Sequence, residues 1–311
     1  MMKARIALII PYFGDLPHWF PYFVRSVAHS PILDVLLFTD AQAGPELPDN
    51  IKVHYCSLAR FSELASRILS LPISLSHPFK ICDFRPAFGQ IFQECIRHYE
   101  FWAFGDIDLV YGDVAAFLEP LMEHHDVISC RKEWVSGSLC VLRNSKEINS
   151  LFALSADWKR AFLSPDSQLF DEMGGFFYSD VLKGADVLSL KGKVESFTHV
   201  LKRLVRSGDL RCAFEDLACE QLDWGETIVH DSGHLTRFSD GIEVMYVHYV
   251  CMKRRFFEVP VVAAAPERFL IRKTGIYLER PGTRILLSQE AGRVIRGGMH
   301  GATRLLSRWI G

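Results

Sequence analysis

The sequence predicts an α/β protein in which a mixed, mostly parallel sheet is flanked by helices. Residues 5–10 form a short apolar run with β-branched side chains that stops at Pro11, a pattern typical of a buried central strand. A segment with helical spacing and two more apolar runs follow, which gives the order β-α-β-β. A later apolar run, 101–104, leads directly into Asp106 and Asp108. Polar side chains thus follow a strand's carboxyl end, where open α/β sheets bind ligands.

Hydrophobic spacing and turn residues define the individual elements. Helices are predicted over 19–28 and 84–99. Between 152 and 222, glycines interrupt short periodic pieces, and we expect a mixture of loops and helices there. The predicted strands after the first are 35–38, 51–55, 101–104, 126–130, 138–142 and 245–250.

Composition and charge are those of an ordinary folded protein. The 311 residues suffice for one large domain or for a domain with an appendage, and we expect the second. Apolar residues make up 49% and the net charge is −2, so no global basic field would recruit nucleic acid. The eight cysteines include no Cys-x-x-Cys pair, so neither a zinc ribbon nor a disulfide framework is indicated, and a reducing cytosol fits best.

The two ends of the sequence differ in character. The apolar run near the amino end is too short for a signal peptide or a bilayer span, which favours a cytoplasmic protein. From residue 261 onward there are nine Lys and Arg against three Asp and Glu. Over 286–310 apolar residues recur at helical spacing with arginines between them, which predicts a basic amphipathic helix. This helix either lies on anionic lipid at the inner face of the membrane or covers the rest of the protein.

Asp106 and Asp108 form a candidate site for a divalent cation. Side chains at positions i and i+2 of an extended backbone converge on one side, while Ile107 packs inward. Mn²⁺ or Mg²⁺ takes carboxylate oxygens and keeps open positions for phosphate oxygens. Two acids separated by one residue are also common in solvated loops and helix caps. The apolar residues on both sides of this pair are unusual for such a loop, so the metal interpretation is favoured.

Two further segments are more distinctive than the pair of acids. They are Ile9-Ile10-Pro11-Tyr12-Phe13-Gly14 and Pro78-Phe79-Lys80-Ile81-Cys82-Asp83-Phe84-Arg85-Pro86-Ala87-Phe88-Gly89. With the Asp106/Asp108 segment and Gly112-Asp113 behind it, the sequence resembles the GT-A-fold glycosyltransferases over about residues 4–255. It is more closely similar to a bacterial family of uncharacterised glycosyltransferase-like proteins. The resemblance implies a catalytic domain over 1–259, with a nucleotide-binding part at 1–145 and an acceptor-side part at 146–259, followed by a basic extension over 260–311.

The resemblance implies a nucleotide role for the loop after the first strand. Pro11, Tyr12 and Phe13 would lie against the base and ribose of the donor. Thr39 and Asp40, which end the second strand, would approach the same nucleoside. The alternative is that Tyr12 and Phe13 are core aromatics and that Asp40 caps a turn.

Lys80, Asp83 and Arg85 place three charges within six positions of otherwise apolar chain. Buried charges must be paired, so these residues could pair only with one another. Alternatively, Asp83 accepts hydrogen bonds from sugar hydroxyls while Lys80 or Arg85 binds the diphosphate, for which a guanidinium is well suited. The second interpretation is favoured because the segment immediately precedes a predicted helix that faces Asp106.

The resemblance also implies a third metal ligand from a late strand, and His248 is the candidate. A neutral imidazole is a suitable Mn²⁺ ligand, and the following Lys253 and Arg254 could contact the diphosphate. The alternative is a core histidine with both nitrogens hydrogen-bonded.

Asp171 and Glu172 are candidates for the catalytic base. A base is required only if the reaction inverts configuration, because the acceptor hydroxyl must then lose its proton as it attacks. These acids could equally begin a helix, where negative charge is favoured. Gly137, before a predicted strand, would let the sugar or acceptor approach the backbone closely.

These residues together predict a glycosyltransferase that uses a nucleotide-diphosphate sugar, expected to be a UDP-sugar, with Mn²⁺ or Mg²⁺. The acceptor would be a glycan or a lipid-linked glycan in surface polysaccharide assembly. One alternative is a metal-dependent hydrolase or phosphoryl-transfer enzyme in which Asp106, Asp108 and Asp113 gather two cations. Another is a non-catalytic protein that binds nucleotide sugars.

Overall fold

The computed structural model describes residues 5–42, 44, 47–253 and 257–278. The α-helices among them are α1 (Phe20–Ala28), α2 (Leu58–Leu69), α3 (Phe88–Ile91), α4 (Gln93–Ile96), α5 (Val114–Met122), α6 (Trp158–Leu163), α7 (Tyr178–Leu182) and α8 (Phe197–Ser207), with 3₁₀ helices at Pro78–Ala87, Ile148–Leu154 and Val187–Ser189. The strands are β1 (Ile6–Pro11), β2 (Leu33–Thr39), β3 (Ile51–Tyr55), β4 (Phe101–Gly105), β5 (Leu109–Tyr111), β6 (Val127–Ser129), β7 (Leu139–Arg143), β8 (Cys212–Phe214), β9 (Ala218–Cys219), β10 (Thr227–Asp231), β11 (His234–Arg237), β12 (Tyr246–His248), β13 (Arg268–Arg272) and β14 (Gly275–Leu278).

A seven-stranded sheet forms the centre of the fold. Its strand order is β3-β2-β1-β4-β7-β6-β8, in which β1 to β4 are mutually parallel and β7 is antiparallel to β4. The predicted fold class, a mixed and mostly parallel sheet flanked by helices, is therefore confirmed. Because β1, β2 and β4 are parallel, the segments that follow them open on the same edge of the sheet.

Both faces of this sheet are covered by apolar clusters. Along β1, Ala7 and Ile9 belong to the cluster on one face, while Ile6, Leu8 and Ile10 belong to the cluster on the other. The alternation follows from the two-residue period of a strand. Burial on both faces explains why the central strands are continuous apolar runs.

The predicted helix over 84–99 is wrong as a single element. The chain forms a 3₁₀ helix at Pro78–Ala87 and then the short α3 and α4. Pro86 has no backbone N–H to donate, and its ring would clash with the carbonyl one turn earlier, so no α-helix runs through 78–87. Residues buried on several sides of the 3₁₀ helix, including Ile81, Asp83 and Phe84, hold the segment in place by packing instead.

Two smaller sheets complete the described structure. Strands β5, β12 and β9 form one, and β11, β10, β13 and β14 form the other in that order. Residues 268–278, in the predicted carboxyl-terminal extension, form β13, which pairs with β10, and β14, which pairs with β13. The predicted amphipathic helix at 286–310 lies outside the described residues. Across the described ranges, no helix is both long and apolar enough to cross a membrane.

His230 in β10 lies where the four-stranded sheet meets the end of α1. Its side chain is buried and stacks on Phe269 with ring centroids 4.4 Å apart, and Nδ1 donates to the Glu267 carbonyl at 2.9 Å. His29, which directly follows α1, contacts the Glu267 carboxylate at 2.6 Å. Burial lowers the pKa of His230 from 6.5 to about 4 because it disfavours the imidazolium.

Acidification should therefore weaken the fold through His230. Its contribution is fully present above pH 6.5 and is lost as the pH falls toward 4, because the unfolded chain binds a proton that the folded chain does not. The loss is expected to reach about 3 kcal/mol at pH 4. Urea unfolding at pH 7.5 and 4.5 should show a smaller decrease for His230→Phe than for the unsubstituted protein. His234→Gln is the control, since His234 is exposed, and an unchanged pH dependence in His230→Phe would contradict the assignment.

Candidate metal centre

The segment between β4 and β5 carries Asp106 and Asp108. Gly105 ends β4 beside the Ser138 carbonyl, which would lie 2.7 Å from a side-chain carbon at this position, so only glycine allows the approach. The Asp106 amide then donates to the same carbonyl at 3.1 Å. Strand β5 pairs antiparallel with β12, and the register sets His248 opposite Leu109. This pairing brings the late-strand histidine to the two acids.

Asp106, Asp108 and His248 converge on one point. His248 Nε2 lies 3.5 Å from Asp108 Oδ1 and 4.0 Å from Asp106 Oδ2, and one ligand atom from each residue lies within 4.8 Å of the others. Nε2 is buried and has no hydrogen-bond partner among the described residues. An orphaned nitrogen facing two carboxylates is costly unless something binds it. Two carboxylates and an imidazole are suitable ligands for Mn²⁺, so these residues fit a divalent cation.

The electrostatics of this group favour positive charge. Burial disfavours the Asp108 carboxylate, but its interactions with His248 and Lys253 outweigh burial and lower the pKa of Asp108 below its ordinary value. Burial likewise opposes the His248 imidazolium, yet the carboxylates of Asp108 and Glu220 raise the pKa of His248 to about 9. The acids therefore stabilise a cation in the space between them.

Lys253 lies beside the group of Asp106, Asp108 and His248, which is called the metal candidate below. Its ammonium donates to Asp108 Oδ2 and stands 5.3 Å from the centre of the Trp19 ring. Lys253 was predicted to contact the diphosphate, and its ammonium lies at the Asp108 carboxylate. Arg254, the other side chain predicted to contact the diphosphate, lies outside the described residues.

Arg85 connects the metal candidate to the predicted catalytic acids. One guanidinium nitrogen donates to Asp106 Oδ1, and the other donates to Asp171 Oδ2 at 2.9 Å. Burial raises the pKa of Asp171 to about 8, against the lowering effect of Arg85 and with the help of the Glu172 charge. Glu172 accepts hydrogen bonds from the Tyr178 hydroxyl and, at 3.1 Å, from the Gly137 amide. Asp171 and Glu172 thus lie next to the metal candidate, and neither begins one of the described helices.

Lys80 and Asp83 are placed differently from Arg85. Their side chains are 3% and 0% exposed and pair with each other at 2.6 Å. Lys80 also donates to the Ala161 and Asp166 carbonyls, and Asp83 accepts from the Gln168 and Phe170 amides at 2.8 Å. This is the internal pairing that the sequence left open. Because both side chains are buried in this pair, neither presents an exposed charge to a nucleotide-sugar donor.

The predicted nucleotide loops lie at the same edge of the sheet. The Gly14 amide donates to Asp40 Oδ1 at 2.8 Å, which ties the loop after β1 to the loop after β2. Gly14 adopts a positive φ of 98°, which favours glycine. Tyr12 is half-buried, and its pKa is raised by burial and by the charge of Asp108, which places the phenol within electrostatic reach of that carboxylate.

Of the three other residues predicted to contact the nucleoside, two are buried. Phe13 is buried in the apolar cluster beneath α2, as the core alternative predicted. Thr39 is also buried, and its hydroxyl accepts from the Ala41 amide at 3.1 Å. Pro11, the last residue of β1, is partly exposed at the start of the loop.

Glu220 and Arg131 belong to the site but were missed from the sequence. Glu220 Oε1 lies 3.2 Å from His248 Nδ1, and Arg131 lies 3.8 Å from the Glu220 carboxylate. Glu220 follows β9, which is only two residues long and has no recognisable strand pattern. No local pattern links Glu220 to the predicted strand 245–250, because β10 and β11 lie between them in the chain.

A family model matches residues 8–280, and its description is a family of unknown function, DUF6625. The chain belongs to this family. Comparison with curated proteins gives no match. Membership in DUF6625 therefore does not identify the activity of the chain.

Several solved glycosyltransferase structures resemble this DUF6625 member. Mouse xyloside xylosyltransferase 1 in its apo form has a TM-score of 0.41 and 14% identity over 81% of this chain and 99% of that one. GlyE of Streptococcus pneumoniae TIGR4 has a TM-score of 0.31 and 12% identity over 68% and 45% of the two chains. The galactosyltransferase LgtC, solved with donor and acceptor sugar analogs, has a TM-score of 0.29 and 13% identity over 50% and 65%. The DUF6625 chain thus spans less than half the length of GlyE.

Proposed function

We propose that this protein is a divalent-metal-dependent glycosyltransferase that uses a nucleotide-diphosphate sugar, with a UDP-sugar as the expected donor. The observation that carries the proposal is the convergence of Asp106, Asp108 and the orphaned His248 Nε2 at the carboxyl edge of a mostly parallel sheet. This edge is where such sheets bind nucleotides.

The proposed chemistry depends on charge at the leaving group. As the glycosidic bond breaks, negative charge grows on the nucleotide diphosphate, and a cation held by Asp106, Asp108 and His248 would stabilise it. The Lys253 ammonium, which contacts Asp108, would add a second positive charge beside the phosphates. Arg85 holds Asp106 in position through its hydrogen bond.

The nucleoside and the reacting sugar are assigned to two different sets of residues. Pro11, Tyr12 and Asp40 lie in the loops after β1 and β2 and would contact the nucleoside. Asp171 and Glu172 lie beyond Arg85 and would face the sugar and the acceptor. If configuration inverts, one of these two acids would accept the acceptor proton, as a raised pKa suits a base near neutral pH. The acceptor class that we propose is a glycan or lipid-linked glycan of surface polysaccharide assembly.

The two-cation hydrolase is less well supported. It requires Asp113 as a further ligand, but the Asp113 carboxylate accepts from the Ala116 amide at 3.1 Å and caps α5. Among the described residues, the acids and histidines that lie close enough together to hold a metal ion are Asp106, Asp108 and His248. One cation therefore fits this group better than two.

A nucleotide and a metal ion should stabilise the protein together. UDP is expected to raise the thermal midpoint only when Mn²⁺ or Mg²⁺ is present, because binding to the folded state alone adds stability by mass action. ADP and GDP with the same ions are the matched controls for the base. Equal stabilisation by UDP with and without metal would contradict metal dependence.

Turnover is tested by release of nucleotide diphosphate from a panel of donor sugars, with and without candidate acceptors. Release with at least one donor is expected. Metal-dependent UDP binding without release from any donor would favour the non-catalytic binding protein.

A further inference from the structure

Glu220 is brought to His248 by a short strand pairing. Strand β9 runs parallel to β12, with Ala218 beside Tyr246 and Cys219 beside Val247. The next step of the same register places Glu220 alongside His248. Their side chains meet, with His248 Nδ1 3.2 Å from Glu220 Oε1.

The two nitrogens of His248 therefore face different partners. Nδ1 faces Glu220, while Nε2 faces Asp106 and Asp108. A carboxylate can only accept, so Nδ1 donates its proton to Glu220. With one proton held at Nδ1, an imidazole that binds a cation in place of its second proton does so through Nε2, toward the two acids.

Glu220 is itself held in place. Its side chain is 22% exposed, and its second oxygen lies 3.8 Å from Arg131 Nη1. The Arg131 guanidinium lies 4.7 Å from the centre of the Trp134 ring and 3.6 Å from Asp216. A carboxylate anchored on its far side can fix both the rotation of the imidazole ring and its tautomer.

We propose that Glu220 is a positioning residue for His248, holding the proton on Nδ1 so that Nε2 is presented to the divalent cation. The inference rests on the proposed metal-dependent function. Glu220 does not act as a fourth ligand, because it faces the nitrogen directed away from Asp106 and Asp108. It acts on the cation through the imidazole.

The test measures binding of Mn²⁺ and Mg²⁺ alone to the full chain by titration calorimetry. Glu220→Ala is expected to weaken Mn²⁺ binding about 10- to 100-fold, the range typical of partners that orient a metal ligand. Mg²⁺ should be affected less, because an imidazole contributes more to Mn²⁺ than to Mg²⁺. The preference for Mn²⁺ over Mg²⁺ should therefore fall.

Two further variants distinguish the positioning of His248 from the loss of a nearby negative charge and from a failure to fold. Asp216→Asn also removes a carboxylate near Arg131, but it is 63% exposed and does not contact His248, so Mn²⁺ affinity should stay within about twofold. Glu220→Gln keeps the size of the side chain and an oxygen that can accept from Nδ1. It should weaken Mn²⁺ binding less than Glu220→Ala does, and it carries the test if the alanine variant fails to fold.

Three results would overturn the inference. They are unchanged Mn²⁺ affinity in both Glu220 variants, an equal loss for Mn²⁺ and Mg²⁺, or a loss in Asp216→Asn as large as that in Glu220→Ala. Failure of the unsubstituted protein to bind Mn²⁺ would instead refute the metal centre and with it the proposed function.

Discussion

Asp108→Asn should lower the affinity for Mn²⁺ by at least about 100-fold, more than is typical for partners that only orient a ligand. Asp108 is buried, faces His248 Nε2 at 3.5 Å and accepts from Lys253. Asparagine keeps the shape of the side chain but removes the charge that attracts the cation. The stabilisation by UDP that depends on Mn²⁺ should disappear with it. Titration calorimetry and thermal unfolding measure the two effects.

Asp113→Asn is the matched control for Asp108→Asn. Asp113 belongs to the same acidic segment, but its side chain caps α5, and asparagine caps a helix about as well as aspartate. Both stability and Mn²⁺ affinity should therefore be nearly unchanged. A loss of Mn²⁺ binding in Asp113→Asn equal to that in Asp108→Asn would revive the two-cation hydrolase, and retained Mn²⁺ binding in Asp108→Asn would refute the assigned ligand.

Lys80→Met should destabilise the protein by about 3–5 kcal/mol, the cost typical of removing one partner of a buried ion pair. The substitution leaves Asp83 fully buried, and among the described residues only the Gln168 and Phe170 amides then donate to it. It also removes the donor to the Ala161 and Asp166 carbonyls. Equilibrium unfolding in urea measures the change in the free energy of unfolding. Where the variant is folded, its affinity for UDP with Mn²⁺ should match that of the unsubstituted protein.

Lys52→Met provides the comparison for a surface pair. Lys52 is 47% exposed and contacts Asp34 and Tyr99, so its loss should cost less than about 1 kcal/mol. The structural role of Lys80 would be contradicted if Lys80→Met left stability unchanged but weakened UDP binding. That outcome would restore the predicted diphosphate contact.

The sheet could be read from the sequence to a large extent. Strands β1, β2 and β4 are apolar runs because they are buried on both faces, and burial leaves a local pattern. The segment over 78–96 could not be read in the same way. The hydrophobic spacing over 84–99 predicted one helix, but burial on several sides produced a 3₁₀ helix and two short helical pieces.

Within the site, the sequence by itself determined that two acids follow a buried strand at the ligand-binding edge. Only the tertiary structure decided which other residues join them. Pairing of β5 with β12 brings His248 to Asp108, and pairing of β12 with β9 brings Glu220 behind His248. Lys80, Asp83 and Arg85 lie in the same short segment of sequence. Lys80 and Asp83 pair with each other, whereas Arg85 contacts Asp106. The physical reason is that burial and periodicity act on neighbours in the chain, whereas strand register and the direction of a side chain depend on segments far apart in sequence.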